Sequence, residues 1–121
     1  MAKILIIDDE ENIRFTLKEF FSDEGYEVAT AEDYDEAMKR IDVSDFDLIL
    51  ADINLKGKSG IDILEKVKTE KLDCPVVMIM AAPDFDTVSE ALRLGAYDYV
   101  SKPIQLDLLL HITKTAMKHK A

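Results

Sequence analysis

One cysteine, Cys74, is all the thiol this sequence has, so an internal disulfide is excluded and the core must hold the fold. Beside Pro75 and just before an apolar run, Cys74 reads as a small buried hydrophobe. Long hydrophobic runs are missing as well, and no stretch approaches the length of a membrane span. The opening Met1-Ala2-Lys3-Ile4-Leu5-Ile6-Ile7-Asp8 has only four apolar residues between Lys3 and Asp8. That is too short for a signal peptide and reads as a first strand, so a cytoplasmic protein without membrane contact is expected. Positive charge is scarce: 15 basic against 25 acidic residues leave a net charge of −10. A phosphate backbone would be repelled, which argues against direct nucleic-acid binding and for a cation or a basic partner. The small basic end at Lys114, Lys118, His119 and Lys120 reads as a solvated helix terminus, and His111 and His119 as surface residues.

Repeats and low-complexity segments are also absent, and 121 residues with 48% hydrophobic content predict a single domain over residues 1–121. Short apolar runs alternate with helical periodicity. Ile4 to Ile7 is a continuous strand ending at Asp8-Asp9. Ile13, Leu17, Phe20 and Phe21 share one helical face, and Gly25 stands where that helix should end. Tyr26 to Thr30 alternates as a strand with one wetter face. Asp33 with Glu36 predicts a capping box for a helix carrying Ala37, Met38 and Ile41. Leu48 to Ala51 is a third strand, followed by a helix marked by Ile61, Leu64 and Val67. Val76 to Met80 is the most apolar strand, and Asp84 caps a helix that stops at Gly95. Tyr97 to Val100 and the amphipathic Leu106 to Met117 complete five β/α units.

Strands separated by single helices predict an α/β fold, a doubly wound parallel sheet with right-handed crossovers. The apolar first, third and fourth strands belong in the centre. Glu27 and Asp98 mark the second and fifth as edges, where charge discourages further pairing. The resulting order is 2-1-3-4-5, and its switch point lies between strands one and three, where ligands of open sheets bind. Asp8 and Asp9 end strand one there, and Asp52 ends strand three. Asp52 either caps the next helix or does chemistry at the mouth of the sheet. Three converging carboxylates repel, so the site needs a cation or a raised pKa. Oxygen-only ligands, few in number and with room for water, favour Mg²⁺ over Ca²⁺. Lys102, between the fifth strand and Pro103, reaches the same edge with a point charge suited to a phosphoryl group or to neutralising the acids.

Ile6-Ile7-Asp8-Asp9, then Leu50-Ala51-Asp52-Ile53-Asn54, then Gly95-Ala96-Tyr97-Asp98-Tyr99-Val100-Ser101-Lys102-Pro103 together resemble a response-regulator receiver domain, with the flavodoxin-like sheet order just inferred. The resemblance spans essentially the whole chain and is greatest toward receivers of nitrogen-regulation-type activators. It implies that Asp52 is a phosphoacceptor supplied by a histidine kinase or phosphotransfer protein. It further implies that Asp9, Asp52 and the main-chain carbonyl of Asn54 ligate Mg²⁺ or Mn²⁺, with Asp8 acting through water. Lys102 would contact the phosphoryl group, the Lys102–Pro103 bond would be cis, and Tyr99 would turn inward on activation. The output surface would be helix four, strand five and helix five, acting on a C-terminal output domain, a separate effector or a second copy of the chain. One position departs from the pattern: Met80 stands where the family has Thr or Ser, followed by the expected small residue Ala81. Met cannot donate the hydrogen bond that a hydroxyl would offer a phosphoryl oxygen.

A receiver-fold interaction module with impaired switching is the second reading, carried by Met80. Asn54 and Ser59 could equally serve only the turn and the next helix's cap, and Tyr99 plain strand packing. An aspartyl phosphatase is set aside because Asn54 stands where a second acid is wanted, so no turnover of an external substrate is expected. A flavin carrier is set aside because Asp8-Asp9-Glu10-Glu11-Asn12 cannot cradle a phosphate.

Overall fold

The computed structural model describes residues 1–70 and 73–118. Ten elements alternate along them: β1 (Lys3–Ile7), α1 (Glu11–Asp23), β2 (Glu27–Ala31), α2 (Tyr34–Val43), β3 (Leu48–Asp52), α3 (Gly60–Glu70), β4 (Val76–Met80), α4 (Phe85–Arg93), β5 (Asp98–Ser101) and α5 (Leu106–Lys118). All strand pairings are parallel and the order is β2-β1-β3-β4-β5. The apolar strands thus occupy the centre and the charged ones the edges. Every residue of β3 and β4 is buried, because both faces of a parallel sheet are covered by helices.

Alternation along the strands divides the core into two layers. Leu5, Ile7, Ile49, Ala51, Met78 and Met80 face α2 and α3, where Ile41, Ile63 and Leu64 meet them. Ile4, Ile6, Leu48, Leu50, Val77 and Ile79 face α1 and α5, which contribute Leu17, Phe21 and Leu109. Full burial of each such side chain contributes roughly 1.5–3 kcal/mol, far more than the exposed ion pair of Lys66 with Glu70. Cys74 is a buried member of the first layer, as its neighbours suggested.

Strand boundaries differ from the sequence reading by a residue. β2 runs to Ala31 because Ala31 pairs with Ile7, and β3 takes in Asp52 because Asp52 pairs with Ile79. β5 begins at Asp98 rather than Tyr97, although the Tyr97 N–H still donates to the Val76 carbonyl at 2.8 Å. Gly25 and Gly95 follow α1 and α4 with φ of +93° and +107°, the left-handed geometry that closes a helix. His111, Lys114 and Lys118 are exposed on α5, while His119 and Lys120 lie outside the described residues.

The caps are where the sequence placed them, with one shift. Asp33 accepts from the Glu36 N–H at 2.8 Å, and Asp84 from the Thr87 N–H at 2.8 Å. The Glu36 carboxylate returns to the N–H of Glu32 at 3.0 Å rather than to that of Asp33, so the box closes one residue early. Asp33→Ala is expected to lower stability by about 1 kcal/mol in urea denaturation. An unchanged midpoint would show that Asp33 does not carry the start of α2.

Candidate functional site

Because β1 and β3 are adjacent and parallel, the residues ending them meet at one edge. Carboxylate oxygens of Asp8, Asp9 and Asp52 lie within 4.8 Å of one another. Asp8 and Asp52 are buried, at 0% and 2% exposure, while Asp9 is exposed. Lys102 arrives from the end of β5, anchored by its N–H to the Met80 carbonyl at 2.8 Å. Its Nζ stands 2.8 Å from Asp52 Oδ2, 3.4 Å from Asp8 Oδ2 and 3.6 Å from Glu10 Oε1. Burial by itself would lower the Lys102 pKa, but the bond to Asp52 and the surrounding carboxylates outweigh it and hold the ammonium above its ordinary value. The Lys102–Pro103 peptide is cis.

The Asp52 carboxylate is not the cap of α3. Its Oδ1 accepts from the Asn54 N–H at 2.9 Å, turning the chain out of the strand. Ser59 takes the cap instead, accepting from the Ile61 N–H at 3.2 Å while Asp62 accepts from the Ser59 N–H at 2.8 Å. Gly60 makes this possible. A Cβ there would run into the Asp52 carbonyl and come within 2.8 Å of Ile53 Cα, so only glycine lets α3 start against the end of β3.

Asp8 accepts from the Glu10 N–H through Oδ1 at 2.9 Å, but its buried Oδ2 has no hydrogen bond. Burial pushes its pKa up from 3.8 to about 6, and the nearby Asp52 charge adds to this, against the pull of the Glu10 N–H and Lys102. Three carboxylates facing one ammonium leave the cluster short of positive charge. A buried oxygen without a hydrogen bond, within an all-oxygen donor set, fits a hard metal ion, and these three residues could hold one.

Met80 ends β4 at 1% exposure, and Ala81 after it is exposed. Half-buried Tyr99 packs against the apolar cluster that contains Met80. A cavity of about 340 Å³ opens beside them, lined by Asn54, Ser59, Met80, Ala81 and Thr87 among others. The sequence reading missed Gly60, Glu10 and Arg14. Arg14 Nη1 donates to the Asp8 carbonyl at 2.8 Å. Only the position of Glu10 beside the paired acids could have drawn notice.

Asp8 also gives the metal-free fold a sign-definite pH dependence. Its folded pKa lies above the unfolded value, so the folded state holds the proton more tightly. The penalty is present above about pH 6 and fades as pH falls toward about 4. Asp8→Asn is therefore expected to stabilise the metal-free chain by roughly 1–2 kcal/mol at neutral pH, with little gain near pH 4. Urea denaturation at both values checks this; a gain independent of pH would contradict it.

Comparison with known proteins agrees with the geometry. Residues 4–114 match the model of the response regulator receiver domain. The chain is 38% identical over 117 residues to the nitrogen assimilation regulatory protein NtrX of Azorhizobium caulinodans, covering 95% of this chain and 26% of that protein. It is 40% identical over 102 residues to the alkaline phosphatase synthesis transcriptional regulatory protein PhoP of Bacillus subtilis, covering 84% of this chain and 42% of the relative. It therefore spans about a quarter to a half of the curated relatives it matches. Among solved structures, a CheY-like receiver domain protein from Methanospirillum hungatei superposes with a TM-score of 0.95 at 29% identity, over 99% of this chain and 96% of that one. The receiver domain of NtrX from Brucella abortus gives 0.90 at 36% identity, over 96% and 98%. By sequence, sheet order and acidic edge alike, the chain belongs to the response regulator receiver domains, the phosphoacceptor signalling modules of two-component systems.

Proposed function

We propose that Asp52 is the phosphoacceptor of this chain and that a histidine kinase or a phosphotransfer protein supplies the phosphoryl group. The observation that carries the reading is the Lys102 ammonium 2.8 Å from Asp52 Oδ2, inside a cluster of acids. An Asp52 oxygen attacks the phosphorus of a phosphohistidine, the P–O bond forms as the P–N bond breaks, and the imidazole leaves. Lys102 follows the charge onto the phosphoryl oxygens, as a mobile point charge can. Asp9, Asp52 and the Asn54 main-chain carbonyl would hold Mg²⁺ or Mn²⁺, with Asp8 acting through water. The bound ion supplies neutralising charge for the transferring oxygens. Asn54 steadies the nucleophile through its N–H, and Gly60 lets α3 start against the end of β3 beside it. The chain promotes its own phosphorylation and dephosphorylation and turns over no external substrate.

The donor protein meets a groove of about 570 Å³ between α1 and the segment after β5, with Ile13, Lys102, Pro103 and Ile104 on its walls. Output passes through α4, β5 and α5, where Phe85, Leu92 and Leu108 expose large apolar side chains. The listener there is a C-terminal output domain, a separate effector or a second copy of the chain. Residues 1–121 act as one cytoplasmic receiver domain without direct contact to nucleic acid or membrane; among the described residues no helix is long and apolar enough to cross a membrane.

With a small-molecule phosphodonor and Mg²⁺, intact-mass measurement is expected to show one added phosphoryl group on the wild type and none on Asp52→Asn. Phosphorylation that persists in the variant would sink the assignment. Met80 favours a second reading, an interaction module whose switching is impaired, because a buried thioether at the end of β4 donates no hydrogen bond. Met80→Thr is accordingly expected to enlarge the phosphorylation-dependent amide shifts around Tyr99, through a bond to a charged group worth roughly 1.5–3 kcal/mol. Identical shifts in the two proteins would remove Met80 from the coupling path.

A further inference from the structure

Arg14 stands on α1 in the turn after the paired acids, yet among the described residues it belongs to none of the ion pairs. Its guanidinium, suited to a bidentate grip on a carboxylate, instead gives Nη1 to the main-chain carbonyl of Asp8 at 2.8 Å. The Asp8 N–H already donates to the Ala31 carbonyl at 3.1 Å, and Asp8 Oδ1 accepts from the Glu10 N–H at 2.9 Å. The turn from β1 into α1 is therefore held at three points, and Arg14 provides the one that comes from a side chain outside it. Helix α1 has no side-chain cap of its own: Glu10 makes no capping bond, and the Arg14 N–H bonds the Glu10 carbonyl at 3.1 Å. One residue thus ties the first turn of the helix to the acidic turn that precedes it.

We propose that Arg14 is a positioning residue for the cation site, fixing the main chain at Asp8 and Asp9 without engaging their carboxylates. The proposal rests on the phosphoacceptor reading, in which that site is filled by Mg²⁺ or Mn²⁺. Two roles for Arg14 carry opposite signs. As a bare positive charge it repels a cation, and its removal tightens binding. As a donor to the Asp8 carbonyl it preorganises the ligands, and its removal loosens binding, as loss of an outer-shell hydrogen bond at a metal site does.

The test is titration of the whole chain with Mn²⁺ at constant ionic strength, following free Mn²⁺ by its paramagnetic resonance, alongside thermal unfolding of the metal-free protein. Arg14→Met keeps most of the aliphatic stem and removes both charge and donor; a loss of about ten-fold in Mn²⁺ affinity is expected. Arg14→Lys keeps the charge but not the fork, and its affinity is expected between the two. Mn²⁺ binding by Arg14→Met as tight as wild type, or tighter, would overturn the proposal. Should that variant fail to fold, Arg14→Lys decides: weakened binding in a folded protein supports positioning, and wild-type affinity overturns it. Wild-type protein that binds no Mn²⁺ would overturn the phosphoacceptor reading itself, and this proposal with it.

Discussion

The contact on which the site depends is the Lys102 ammonium set against the buried carboxylate of Asp52. Without a countercharge, Asp8 and Asp52 at the end of two adjacent central strands would be a severe cost, since buried like charges repel in low dielectric. Lys102 offsets part of that cost from across the sheet, fifty residues away in sequence. Its backbone N–H is tied to Met80, so the ammonium is delivered by β4 and β5 acting together. The compensation is incomplete, as the Asp8 oxygen without a hydrogen bond shows, and it leaves a cluster of acids that could hold a metal ion.

A parallel sheet explains how residues so far apart come to meet. Each strand leaves the sheet at the same edge, so the residue after every apolar run is delivered there whatever the length of the helix between. The acids at the ends of β1 and β3 and the lysine after β5 are thereby gathered without any local sequence signal linking them. The constraint also works in reverse, because the crowding of β3 against α3 leaves no room for a side chain at position 60.

Much of this was readable from residue types alone. Uninterrupted apolar runs named the central strands, and Glu27 and Asp98 named the edges, because burial and charge follow simple rules of transfer free energy. Asp8, Asp9, Asp52 and Lys102 could be grouped once the strand order was inferred. What could not be read depends on main-chain atoms. Arg14 addresses a carbonyl, Gly60 matters through a close approach of two backbones, and Glu36 returns to the N–H one residue before the cap. Carbonyls and N–H groups are the same at every position, so no letter of the sequence announces which one will be used.

Strand β5 serves both layers of the core, as the other strands do. The sheet keeps the layers apart, yet on this strand Tyr99 packs against one and Val100 belongs to the other. Ser101 and Lys102 then carry the strand directly to the acidic edge. The strand that brings Lys102 to the acids is therefore packed against the layer of α4 on one face and the layer of α5 on the other.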